Sequence, residues 1–165
     1  MSKGRPIRCF DYVNHPYARV RDALTKDALT VFQNATRVAA SRARSVASEL
    51  RVQIGGVEVG AEIAIAVRSI EERPAEGMTS PTTRLSLEWQ ASHAPALFPL
   101  MRAELSVYPL TTTETQLDFS GTYEPPLGLV GSAMDAVVGH RIAEASVHRF
   151  VADVADYLRN VLSAP

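Results

Sequence analysis

A single cysteine, Cys9, stands in 165 residues, which leaves no partner for an intrachain disulfide and no cysteine-based zinc site. Such usage is compatible with a reducing compartment. Charge of one sign is equally scarce. The chain has 17 basic and 18 acidic residues and a formal net charge of −1, without the basic excess on which binding to nucleic acid or anionic lipid relies. The nearest approach to a basic patch is Arg37, Arg42, Arg44 and Arg51, which reads as a solvated face because no aromatic residues interleave with it to stack bases. Long apolar runs are missing too: nothing approaches the roughly 20 residues of a membrane span, and the opening MSKGRPIRCFDYV holds no run of the length of a secretory signal. The expectation is a cytoplasmic protein with no nucleic-acid partner and no membrane span, of undetermined oligomeric state.

Motifs for familiar chemistry are absent as well. No Gly-x-Ser-x-Gly elbow accompanies the serines, histidines and aspartates, and GGVEVG leads into a strand pattern, so it lacks the helix N-terminus of a phosphate loop. Cys9 sits in a strand pattern and reads as a small core residue. No cofactor, no metal and no catalytic residue is assigned.

What remains is ordinary globular composition, 46% apolar and 21% charged, at a length suited to one domain over residues 1–165. Ile7 to Val13 reads as a strand and ends at Asn14-His15-Pro16, where proline suits the first turn of a helix. One short helix is predicted to Leu24 and a second from Ala28, with Asp27 as its cap; residues 38–49 satisfy helix and strand patterns alike. From Leu50 the chain alternates apolar and polar side chains at the two-residue period of half-buried strands. Leu50 to Ile54 is one predicted strand, Gly55-Gly56 a hairpin turn, and Val57 to Val67 a long strand of about 40 Å that has to bend around something. Loops at Pro74, Gly77 and Pro81 and at His93-Ala94-Pro95 separate strands around Leu85 to Trp89, Ala103 to Val107 and Thr113 to Tyr123. Six strands with one dry face favour an antiparallel sheet. After Glu124-Pro125-Pro126 a helix is predicted from Leu127 to about Leu162. Its stripe is Ala133, Val137, His140, Glu144, Val147, Val151, Val154, Leu158 and Val161, at steps of four and three. The helix and the dry sheet face must bury each other, which gives an α+β domain with a curved sheet wrapped around a long C-terminal helix.

This order of elements resembles the helix-grip fold of START-like, polyketide cyclase-like proteins, the SRPBCC superfamily. The resemblance is carried by TQLDFSGTYEPPLGLVGSAMDAVVGHRIAEASVHRFVADVADYL, residues 115–158, and by FDYVNHPYARVRDAL, residues 10–24, together about a third of the chain. It implies two short helices after the first strand and a pocket between sheet and helix for a hydrophobic small molecule, lipid or polyketide-like. Relatives include cyclases, carriers and proteins of assembly, so activity does not follow from fold.

Within that frame His140 and Glu144 interrupt the apolar stripe one turn apart, at a spacing that lets them meet. A histidine held beside a carboxylate is suited to a polar ligand contact or to acid–base work. Trp89, Phe119 and Tyr123 from dry strand faces and Met134 and Val137 from the helix are the candidate walls, in keeping with the mostly apolar lining of small-molecule sites. His148 extends the polar spacing, but lies about 80° around the helix from His140 and does not complete a metal set. The leading expectation is a binder or carrier. The alternatives are a cyclase or aromatase using His140 and Glu144, and a protein-interaction domain with a vestigial cavity.

Overall fold

Strand alternation produces the sheet largely where the sequence places it. The computed structural model describes residues 4–54, 63–91, 101–123 and 133–164. Strands β1 (Arg5–Val13), β2 (Ile63–Arg73), β3 (Thr82–Ala91), β4 (Met101–Pro109) and β5 (Thr115–Tyr123) form one antiparallel sheet in the order β1-β5-β4-β3-β2. Helix α1 (Tyr17–Ile54) follows β1, and α2 (Ala133–Ser163) ends the chain. Along β1, Ile7, Cys9 and Val13 point inward while Arg8, Phe10 and Tyr12 are exposed; β5 buries Leu117, Phe119 and Tyr123 on the same inner face. The short β2–β3 connection is closed by paired backbone bonds between Glu76 and Thr79, with Gly77 at φ 58° supplying the left-handed residue that tight hairpins need.

Four expectations are corrected. The two short helices are one long element of 38 residues, broken only at Asp27, where φ is −139° and ψ 34°. The break falls at the residue chosen as a cap, but the segment beyond it continues to Ile54. The ambiguous residues 38–49 are therefore helical, and so are Leu50 to Ile54, which were expected as a strand. The run Ala-Ser-Arg-Ala-Arg is rich in helix formers, and an established helix adds each further residue for one hydrogen bond without a new nucleation cost. Five strands rather than six are thus present among the described residues. Finally, Val161 is 47% exposed and is not part of the buried stripe.

The expected long strand is described from Ile63 and runs on to Arg73; Gly55-Gly56, residues 57–62, the His93 loop, the Pro125-Pro126 junction and the helix start at Leu127 lie outside the described residues. The expected bend in this strand has a local cause. Register shifts between Val67 and Ser69, leaving Arg68 unpaired in the ladder, and such a bulge bends and twists an edge strand.

Both helices cover the inner face. α1 contributes Val20, Leu24, Val31, Phe32, Ala35 and Ala39 at helical spacing, and α2 contributes Ala143, Val147, Phe150, Val154 and Leu158. The ring of Phe150 is the hub of the core: its centroid is 4.9 Å from Trp89, 5.7 Å from Phe32 and 6.1 Å from Phe119.

Candidate functional site

Register determines which side chains share one end of the sheet. Arg5 pairs with Tyr123, Tyr123 with Met101, Met101 with Trp89 and Trp89 with Ile65, a single row across all five strands. Tyr123, Met101 and Trp89 are buried on the inner face, and Ile65 is partly buried against them. Tyr123 and Trp89 are two strand spacings apart, about 10 Å.

The described part of α2 approaches this row at Gly139 and His140. A Cβ at Gly139 would collide with the Tyr123 hydroxyl, so the bare glycine allows the phenol to come up against the helix backbone. The Tyr123 and His140 rings meet edge-on with centroids 6.5 Å apart. Burial pushes the Tyr123 hydroxyl above its ordinary pKa, against a smaller opposing effect of Arg5, so the phenol stays neutral and keeps its proton for donation.

Two polar atoms at this end are buried with no hydrogen-bond partner among the described residues: Trp89 Nε1 and His140 Nδ1. Trp89 as a whole is only 3% exposed. Buried polar groups are nearly always paired, so each such atom calls for an explanation. Indole nitrogen is a donor only, while His140 Nδ1 donates or accepts according to tautomer.

The structure brings Trp89, Tyr123 and His140 to one end of the sheet and sets Phe119 deeper, its ring 6.0 Å from that of Trp89. Met134 and Val137 lie in α2, and their side chains are outside the described residues. Glu144 is exposed; no hydrogen bond or ion pair joins it to His140 among the described residues. Its side chain lines an open groove of 810 Å³ between α1 and α2, with His148.

His148 also reaches Cys9, with Nδ1 3.3 Å from the thiol. Burial, with a smaller contribution from Asp11, pushes the Cys9 thiol above its ordinary pKa. That is the opposite of what an activated nucleophile requires. Among the described residues, no group of three histidine, cysteine or acidic side chains converges as a metal site. Among the described residues, no helix is long and apolar enough to cross a membrane.

Sequence reasoning missed Phe150, the residue that ties Trp89 and Phe119 to the helix. The signal was present: Ala143, Val147, Phe150, Val154 and Leu158 fall at steps of four, three, four and four, sharing Val147, Val154 and Leu158 with the predicted stripe and adding Ala143 and Phe150 beside its Glu144 and Val151.

Comparison with solved structures finds the same arrangement. The Zhui aromatase/cyclase from Streptomyces sp. R1128 superimposes with a TM-score of 0.54 at 12% identity, over 97% of this chain and 96% of that one. The chain has the helix-grip fold. Two further helix-grip structures are similar at lower scores. A START superfamily protein from Mycobacterium smegmatis has a TM-score of 0.44 at 11% identity, over 96% of this chain and 99% of that one. Norcoclaurine synthase from Thalictrum flavum has a TM-score of 0.44 at 12% identity, over 98% and 88%. No protein-family model and no curated protein matches the sequence.

Proposed function

We propose that this helix-grip protein holds an apolar small molecule, lipid or polyketide-like, between the inner sheet face and α2, with Trp89 and His140 as its polar anchors. The observation that carries this reading is the pair of buried atoms at one end of the sheet that have no partner among the described residues, Trp89 Nε1 and His140 Nδ1. Leaving a buried donor without an acceptor costs about 1–3 kcal/mol. A ligand oxygen placed against the indole N–H removes that cost while the rest of the ligand displaces water from apolar walls, the division of labour usual in small-molecule sites. Tyr123 supplies a neutral hydroxyl beside His140, and Phe119 an apolar wall deeper in the sheet. Met134 and Val137 join the proposed wall by their positions six and three residues before His140 on α2.

His140 acts in this reading as a hydrogen-bonding anchor rather than as half of an acid–base pair, since Glu144 lies on the outer groove. The likeness to the aromatase/cyclase supports the frame and says nothing about a reaction.

Native mass spectrometry of the purified protein, with extraction of any retained compound, tests the proposal. Thermal-shift assays against fatty acids, sterols and aromatic polyketides complement it. We expect a retained apolar compound, or a rise in Tm with one of these classes. Trp89→Phe, which keeps a ring and removes the donor, should weaken that binding roughly tenfold. Repeated recovery of empty protein with no thermal shift, or full affinity in both Trp89→Phe and His140→Leu, would overturn the reading.

A further inference from the structure

At the β1 end of the row through Tyr123, Met101 and Trp89 stands a charge that the two anchors leave unused. Arg5 is the ladder partner of Tyr123, and directly opposed residues share a face with their Cβ atoms about 4.5–5.5 Å apart, so its side chain starts on the inner side of the sheet. It is exposed, and its charge opposes the effect of burial on the Tyr123 hydroxyl. Among the described residues no carboxylate is within ion-pair distance of it. The acidic side chains that register places on the inner face, Asp11 and Glu72, lie three rows away, about 20 Å along the strands. There Asp11 is held by Arg159 at 2.8 Å and Glu72 lies 3.9 Å from Arg21. The same end of the sheet has room: Ala103 on the central strand β4, with Ile65 and Val67 on β2, is only partly buried.

We infer that the ligand of this site is an apolar carboxylic acid, its carboxylate against Arg5 and Tyr123 and its body laid across Met101 and Ala103 toward Trp89. The inference rests on the ligand-binding reading above and narrows it to one chemical class. An ionised carboxylate only accepts hydrogen bonds, and what the β1 end of the row offers is donors: the guanidinium of Arg5 and the neutral hydroxyl of Tyr123, with the His140 ring centroid 6.5 Å from that of Tyr123. Two neighbouring donors suit the two oxygens of one carboxylate, and charge-assisted bonds of this kind are about twice as strong as neutral ones. Because Arg5 is exposed, the charged head stays at the mouth, where it loses little hydration, while the body enters the apolar interior. Trp89 is two strand spacings from Tyr123, about 10 Å, too far to bind the same head group. Its N–H therefore meets a second oxygen, at the far end of the ligand. A phosphate monoester would bring a further charge, for which the described part of this row holds no second cation.

The test is calorimetric titration of the full chain, near neutral pH, with two acids and the methyl ester of each. Lauric acid is one; naproxen, which carries an ether oxygen across two fused rings from its carboxylate, is the other. Each acid should bind roughly tenfold or more tightly than its ester, and bound naproxen should quench the emission of Trp89, the only tryptophan in the chain. In Arg5→Gln the acids should fall to the affinity of their esters while the esters are unchanged. Arg5→Lys, which retains the charge, should keep most of the preference, and Arg8→Gln, which removes an exposed cation from the outer face, should keep all of it. Esters that bind as well as the acids, or an acid preference that survives Arg5→Gln, overturn the inference and leave the broader ligand-binding reading standing. Dodecyl phosphate bound more tightly than laurate overturns it as well, by giving Arg5 to a phosphate. No binding of either acid also overturns it, and reaches the broader reading only if the protein is recovered empty in native mass spectrometry too. If Arg5→Gln does not fold, the acid–ester comparison in the unaltered chain and in Arg5→Lys decides, and equal affinities there overturn the inference.

Discussion

The ring of Phe150 stands edge-on to the indole of Trp89, with centroids 4.9 Å apart and planes at 77°. This contact joins α2 to β3, and the same phenyl ring packs against Phe32 of α1. Edge-to-face geometry sets the positive edge of one ring against the negative face of the other, adding to the burial of both. Phe150→Ala should therefore destabilise the protein by about 3–5 kcal/mol, the usual range for deleting a fully buried phenylalanine. Phe150→Leu, which leaves a smaller void, should cost less. Urea unfolding of both variants checks this, and a loss below about 1 kcal/mol for the alanine would remove Phe150 from the centre of the core.

Gly139 and Tyr123 offer a test that depends on a single oxygen atom. Alanine in place of a helical glycine is ordinarily worth about 1 kcal/mol in favour of the helix. Here the added methyl would meet the Tyr123 hydroxyl, so Gly139→Ala should instead destabilise, by about 1–3 kcal/mol. Removing the hydroxyl first reverses the sign: in a Tyr123→Phe background, the same alanine should be neutral or stabilising. A double-mutant cycle measured by thermal unfolding should show coupling of at least about 1 kcal/mol. Additive effects would mean that the phenol does not approach the helix as described.

Strand positions were legible because alternation is local. Ile7, Cys9 and Val13, or Leu117, Phe119 and Tyr123, show their inner face without reference to any other part of the chain. Helix phase was less so. Val147 can be continued toward the N-terminus by three residues to Glu144 or by four to Ala143, and the sequence alone does not choose; packing against α1 buries Ala143 and leaves Glu144 exposed. The identity of residues 50–54 failed for a related reason. Leu50, Val52 and Ile54 carry a strand pattern, but the helix formed by the residues before them extends through it. The row of Tyr123, Met101 and Trp89 depends on register between three strands, and the groove depends on the length of α1. Neither is written at any one position, although alternation places Trp89 and Tyr123 on dry strand faces and His140 stands out as a polar residue on an apolar stripe.

Arg159 fastens the far end of α2 to β1. Its guanidinium donates to Asp11 at 2.8 Å and to the Tyr12 carbonyl, and lies 5.2 Å above the Tyr12 ring. Nearby, Arg19 donates to the Leu162 carbonyl at 2.8 Å, satisfying one of the acceptors left open at a helix C-terminus. Several donors of one planar group are used at once, which an ammonium does not reproduce. Arg159→Ala should cost roughly 1–3 kcal/mol, and Arg159→Lys should recover less than half of that loss. Hydrogen exchange gives a positional check: the last turns of α2 should lose protection in the alanine variant before the region around Phe150 does.

Cys9 provides a prediction in pH. Its thiol is raised from the ordinary 9.0, first by burial and then by Asp11, so the folded protein holds this proton at pH values where the unfolded chain has released it. The sign follows directly: the contribution is fully present below the unfolded pKa, and stability is lost as pH rises through the folded one. Alkaline titration should accordingly destabilise the native protein above pH 9.0, and Cys9→Ala should show a smaller fall over the same window. Alkylation by iodoacetamide reads the thiol itself. Its rate should climb at higher pH in the native protein than in urea, and should be slower at every pH because Cys9 is buried against His148. His148→Ala removes the imidazole that covers the sulfur, so it should speed native alkylation while leaving the rate in urea unchanged. A native profile that coincides with the profile in urea would show that Cys9 is neither shielded nor shifted by the fold.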